Sequence, residues 1–152
     1  MALTSFGAIM GFAAEMAEKK EETYKALAQR AKTLGLKEAL ESLSEEEAKN
    51  HALMLKMRRE NVTEMILEPI SGLQQEDYEI QPETAEPLSD EDILRVVVRY
   101  EERSQLFFQD ASSKVPLPEV VRTLEKIAQK KRESITRLRI LGQSQATQGN
   151  NA

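Results

Sequence analysis

Leu40-Glu-Ser-Leu43-Ser-Glu-Glu-Glu47-Ala-Lys-Asn50 and Leu124-Glu-Lys-Ile127-Ala-Gln-Lys-Lys131-Arg-Glu-Ser134 lie 84 residues apart and share one pattern. Leu40 falls on Leu124, Leu43 on Ile127 and, at the same offset, Tyr24 on Phe108. The correspondence extends over roughly residues 14–56 and 98–140, and each copy reads as a helical hairpin. Leu40, Leu43, Glu47, Asn50, Met54 and Met57 are spaced 3-4-3-4-3, the spacing of one inward helix stripe. Glu47 and Asn50 therefore sit on an otherwise apolar seam. In the second copy the stripe is Val120, Leu124, Ile127, Lys131, Ser134, Leu138 and Leu141, so Lys131 and Ser134 fall at the matching level. On the helix before it, Ile93, Val97, Glu101, Ser104, Phe108 and Ala111 form the stripe, and Glu101 aligns with Ala17 of the first copy. The repeat thus predicts a polar layer across the middle of a helical core.

Working outward, helix 1 is expected over about Thr4–Thr33, capped by Thr4 or Ser5 and ended by Gly35. Helix 2 is expected over about Lys37–Asn61. Residues 62–88 contain Pro69, Pro82, Pro87 and Gly72 and read as a long connection, in which Ile66, Leu67, Ile70, Leu73, Tyr78 and Ile80 can pack locally. Such a segment can reach ~80 Å when extended, whereas a helix of this size is ~38 Å long. It can therefore carry the chain to the opposite end of a bundle. Helix 3 begins at Ser89-Asp90-Glu91-Asp92, a capping-box start with acids in the first turn, and runs to about Ser113. Pro116 and Pro118 precede helix 4, expected to stop at Gly142, with 143–152 a frayed polar tail. The prediction is an all-α, up-down-down-up four-helix bundle with one long crossover, in a single domain over 1–142.

Composition narrows the function. The chain has 152 residues, 31% charged and 40% hydrophobic, with Ala, Glu, Lys, Leu and Arg prominent, which suits a helical domain with a sizeable core. It has no cysteine, so disulfides, thiolate metal sites and thiol chemistry are excluded. The apolar start, Phe6–Ala14, is too short to span a membrane and runs on into charged helix, which points to a cytoplasmic protein without a membrane partner. A net charge of −5 argues against general nucleic-acid affinity. Helix 4 is basic (Arg122, Lys126, Lys130, Lys131, Arg132, Arg137, Arg139), but no aromatic residues interleave those positions as a single-strand binder requires. They read as a solvated face paired with Glu41, Glu45 and Glu46. There is no GxGxxG, P-loop or HExxH motif.

Leu43-Ser-Glu-Glu-Glu47-Ala-Lys-Asn50-His51-Ala and Glu101-Glu-Arg-Ser-Gln-Leu-Phe-Phe108 resemble the hairpin motifs of the rubrerythrin family of ferritin-like proteins. The resemblance covers residues 5–142. It implies a bundle in which each hairpin supplies one Glu from its first helix and a Glu-x-x-His from its second. Side chains at i and i+3 share a helix face and can reach the same ion, and six such ligands hold two iron atoms. On this chain the six positions fall on Ala17, Glu47, Asn50, Glu101, Lys131 and Ser134, so two carboxylates remain. His51 comes one residue late, about 100° around the helix from the ligand direction.

Two functions of different class follow. In the first, no metal or other cofactor is bound; Lys131, with Lys20 three residues after Ala17, compensates Glu47 and Glu101 as buried ion pairs. The chain is then a non-catalytic structural, regulatory or partner-binding protein, and the resemblance implies a homodimer formed through apolar helix faces. In the second, iron or manganese is held by a rearranged site built on Glu47, Glu101 and His51, with Glu18, Glu21 or Glu102, and the protein is an oxidoreductase or iron store. Tyr24, Tyr100, Phe107 and Phe108 are read as core packing.

Overall fold

Ser5 starts the first helix: its hydroxyl accepts from the Ala8 N–H at 3.0 Å, and α1 runs Phe6–Arg30. The computed structural model describes residues 1–61, 70–79 and 89–150, with side chains to residue 145. α2 spans Leu34–Glu60, α3 Asp90–Ser112 and α4 Pro118–Asn150. The capping box at the start of α3 is complete, with Ser89 accepting from the Asp92 N–H and Asp92 from the Ser89 N–H. Pro118 opens α4 at the position where a missing N–H costs nothing.

Two predicted helix ends are corrected. Gly35 does not end α1; it lies in the first turn of α2. The chain leaves α1 earlier, at Ala31, where ψ of 138° is extended. Asp90 fixes that exit by accepting from the Lys32 and Thr33 N–H groups at 2.8 and 2.9 Å. Gly35 serves a different purpose, since a Cβ there would stand 3.3 Å from Leu141 Cδ1. Gly142 does not end α4 either, and the residues read as a frayed tail continue the helix to Asn150. No proline follows Gly142 to break the helix, and Gln145 Nε2 donates to Thr33 Oγ1 at 2.7 Å.

The hydrogen bonds give the direction of each helix. Asp90 joins the start of α3 to the end of α1. At the other end of α3, Asp110 accepts from Tyr78 at 2.7 Å. Residues 70–78 belong to the start of α1, through Ile70 N–H to Thr4 and Leu3 N–H to Leu73, with Tyr78 closing a short 3-10 turn at Gln75–Asp77. α3 is therefore antiparallel to α1 and parallel to α2, and the order is up-down-down-up. α1 packs on α2 and α3 on α4, while α1–α3 and α2–α4 are the looser sides. Of the apolar residues predicted to pack locally in the crossover, Ile70, Leu73 and Tyr78 are buried; Ile66, Leu67 and Ile80 lie outside the described residues.

The core has two apolar halves. One gathers Phe6, Ile9, Met10, Phe107 and Leu124; the other Tyr24, Leu36, Leu40, Ile93, Val97 and Leu138. In the first, Phe107 meets Phe12, Tyr78 and Phe108 edge-on, with centroids 5.2–5.3 Å apart. Among the described residues no helix is long and apolar enough to cross a membrane.

A buried lysine–glutamate layer as candidate functional site

Between the two apolar halves the structure brings Lys20, Glu47, Glu101 and Lys131 together, one from each helix. All four are buried, with residue exposures of 0–2%. Lys20 Nζ lies 2.9 Å from Glu47 Oε1 and 3.0 Å from Glu101 Oε1, and donates to Ser104 Oγ at 2.6 Å. Lys131 Nζ donates to Glu47 Oε1 and lies 3.0 Å from Glu101 Oε2, near enough for ion pairing without the alignment of a hydrogen bond. Two ammonium groups and two carboxylates leave the layer neutral. Each lysine touches both glutamates, so neither carboxylate depends on a single partner.

The layer sits on the symmetry axis of the repeat. Lys20 and Ser104 are 84 residues apart, as are Glu47 and Lys131, and both pairs are in direct contact. Repeat-equivalent residues can touch only where the pseudo-two-fold axis passes between them.

Electrostatics follows from this geometry. Burial pushes the Glu101 carboxyl up, but the charges of Lys131 and Lys20 and the Tyr24 hydrogen bond outweigh it and bring it from 4.5 to about 2. Burial pulls the Lys131 ammonium down, yet Glu101, Glu47 and Glu46 hold it well above its usual range. The Tyr24 hydroxyl donates to Glu101 Oε1 at 2.6 Å. Its own ionisation is driven well up by burial first and then by the charges of Glu101 and Glu47. Lys131 is thus a fixed cation and Tyr24 a fixed donor. A nucleophilic amine needs the neutral form, which Lys131 does not offer here.

The remaining predicted positions are placed as follows. Ala17 is buried at 2% and contributes no ligand atom. Asn50 and Ser134 are buried, and Asn50 Nδ2 has no hydrogen-bond partner among the described residues. His51 is only half-buried and faces Glu18 at 3.9 Å, apart from the lysine contacts of Glu47 and Glu101. Of the further carboxylates, Glu21 pairs with Lys25 and Glu102 with Arg139, both outside the layer. Among the described residues no three His, Cys, Asp or Glu side chains converge as a metal-ligand group. The donor set does not fit a diiron centre, because the two carboxylates brought together here are each in contact with two ammonium groups, which oppose a divalent cation. Of the exposed bases of α4, Arg139 pairs with Glu102 of α3 and Arg137 with Glu133 of its own helix. The expected partners Glu41, Glu45 and Glu46 are not the ones found for these two arginines.

Two members of the layer escaped sequence reading as polar partners, Tyr24 and Ser104. The signal for Ser104 was present, since it shares an inward stripe with Glu101. A cleft of about 450 Å³ between α1 and α3, lined by Phe12, Met16, Tyr78 and Tyr100, leads to Lys20. Lys20 Nζ is already engaged by Glu47, Glu101 and Ser104.

No family model and no curated protein matches this chain. A solved structure does: a Thermotoga maritima protein provisionally described as ferritin-like diiron-carboxylate, at TM-score 0.78 and 19% identity, covering 91% of this chain and 95% of that one. The fold is that of a ferritin-like four-helix bundle, and at this identity the likeness speaks to fold alone.

Proposed function

We propose that this chain is a rubrerythrin-type member of the ferritin-like bundles whose metal position has been closed by a lysine–glutamate quartet, and that it works without metal as a structural, regulatory or partner-binding protein. The observation that carries the reading is the double coordination of both carboxylates by Lys20 and Lys131. An incoming iron ion would have to displace two buried ammonium groups, each tied to two carboxylates. Only Glu47 and Glu101 would then remain as ligands, fewer than a stable iron site uses. The quartet replaces the ion's structural role, because it joins all four helices through charge at the level where metal ligands would join them.

Elemental analysis of protein purified without chelator, followed by anaerobic loading with iron(II), tests this. Near-zero iron and manganese, with an unchanged melting temperature after loading, is the expected result. Stoichiometric metal with thermal stabilisation would overturn the reading and favour redox chemistry at a rearranged site.

A further inference from the structure

We infer that the outer face of α2 of one molecule docks antiparallel on the outer face of α3 of a second copy, giving a head-to-tail, charge-driven assembly. The inference rests on reading this chain as a protein that acts through its surface.

The observation is a matched pair of exposed stripes. On α2, Leu34, Glu38, Glu41 and Glu45 follow one another at helical spacing and all are exposed. On α3, Arg95, Arg99, Arg103 and Leu106 do the same. Each stripe has one large apolar residue at one end, Leu34 exposed at 70% and Leu106 at 45%. Laid antiparallel with Leu34 level with Leu106, Glu41 comes level with Arg99 and Glu45 with Arg95. Glu38 comes level with Glu102, which is already paired with Arg139 at 2.8 Å, and has Arg103 one residue away. Continuing one turn, Lys49 comes level with Glu91, so the register stays complementary where the sign of both stripes reverses. The matched length, residues 34–49, is roughly 22 Å of helix. Laid parallel, the leucines fall at opposite ends, so the match fixes direction.

The α3 stripe also borders a concave surface. A groove of about 800 Å³ between α3 and α4 adds Arg132 and Arg139 to Arg99 and Arg103, with Ile135 on its floor. Hydrogen bonds hold guanidinium groups in place here, among them Arg103 to the Asp77 carbonyl at 2.6 Å, Arg132 to Gln129 and Arg139 to Glu102. A guanidinium has five N–H donors, so such anchoring leaves donors for an incoming carboxylate. The chain as a whole carries −5, so this basic groove is a local departure from its average charge.

The symmetry of the contact follows from the bundle. α2 borders α1 and α4, and α3 borders the same two helices, so α2 and α3 occupy opposite corners. Their outer faces cannot both serve one two-fold dimer. The contact is heterologous, and because each step reverses the helix direction it propagates instead of closing as a ring. A single helix pair buries less than the ~800 Å² per partner of a stable complex, so the association is weak and sensitive to salt.

The test is sedimentation velocity on the full chain from roughly 10 to roughly 500 µM, at about 0.05 M and about 0.5 M NaCl, the latter shortening the screening length to roughly 4 Å. At low salt the mass should rise with concentration above the 17.2 kDa of one chain and return towards it at high salt. R99E/R103E and E38R/E41R should each weaken association at least tenfold. Their equimolar mixture should recover it, because the reversed stripe of one then meets the reversed groove of the other. Circular dichroism would verify that both variants keep their helices. A wild-type chain that stays at one-chain mass under all conditions would overturn the inference and hand the groove to a different acidic partner. Association that ignores both reversals, or that the mixture does not recover, would equally overturn it. Neither failure bears on the metal measurement.

Discussion

Lys131→Met leaves Glu47 and Glu101 facing one cation, Lys20, in a site with no exposure to water. Removing one partner of a buried ionic group costs roughly 3–5 kcal/mol, whereas replacing the whole group by apolar residues of similar volume is often neutral or stabilising. Urea denaturation should therefore show K131M strongly destabilised and the quadruple variant K20M/E47L/E101L/K131M close to wild type or above it. A K131M loss of under about 1 kcal/mol would mean that water reaches the layer. The pH dependence has a definite sign. The Glu101 carboxyl is depressed in the fold, from 4.5 to about 2, so its contribution is present at neutral pH and is lost as pH falls through that window. An acid titration of stability should lose this component in E101Q, and a profile unchanged by the substitution would contradict the assignment. The heptad made Glu47, Asn50, Glu101, Lys131 and Ser134 legible as inward residues, because each belongs to a polar pair flanked on both sides by apolar residues of its stripe. Tyr24 was legible only as core. Its hydroxyl bond to Glu101 crosses between hairpins and depends on where two helices meet, which no spacing within one helix reports.

The helices themselves were readable where capping chemistry is local. Ser5 and the Ser89–Asp92 box act within three residues of themselves, and the structure uses both. The ends misread at Gly35 and Gly142 are set by long-range contacts instead. Leu141 packs against the backbone at Gly35, and a Cβ at Gly142 would meet Leu94 Cδ1 at 3.6 Å. Glycine at Gly35 admits a neighbouring helix rather than stopping its own, whereas a Cβ at Gly142 would make only an ordinary contact. Asp90 is the clearest case of an element boundary fixed from elsewhere, since it was legible as a first-turn acid but caps the α1–α2 link 58 residues away. Burial raises its carboxyl, but the Lys32 and Thr33 N–H bonds together prevail and hold it below its usual range. Asp90→Ala should cost about 1–2 kcal/mol, the scale of a lost helix cap, with Asp90→Asn intermediate because one carbonyl oxygen still accepts. Hydrogen exchange at Lys32 and Thr33 should accelerate in D90A; unchanged protection there would show that the link is held by packing alone.

At the scale of the molecule, the proposed function makes the present layer and a diiron site alternative fillings of one place on the pseudo-two-fold axis. The scaffold is the same in either case: four helices, two hairpins, and inward positions at matched levels 84 residues apart. What differs is which side chains stand there. By the rubrerythrin resemblance, A17E, N50H, K131E and S134H complete six ligands with the existing Glu47 and Glu101, and K20A clears the second ammonium from the axis. The full variant A17E/K20A/N50H/K131E/S134H should bind about two iron(II) ions per chain, the number six inward ligands hold in such bundles, and should melt higher with iron than without. Without metal it should be less stable than wild type, because four buried carboxylates then repel one another with no cation between them. Leaving Lys20 in place should block binding, since its ammonium would still occupy the axis between Glu47 and Glu101. If the variant folds but takes up no iron while its lysine-retaining form behaves identically, the aligned positions do not converge on one ion, and the repeat register assigned to Ala17 or Ser134 is wrong. If it loads iron and is stabilised, then five side chains at the level of the polar layer, and not any change of fold, separate this chain from a metalloprotein.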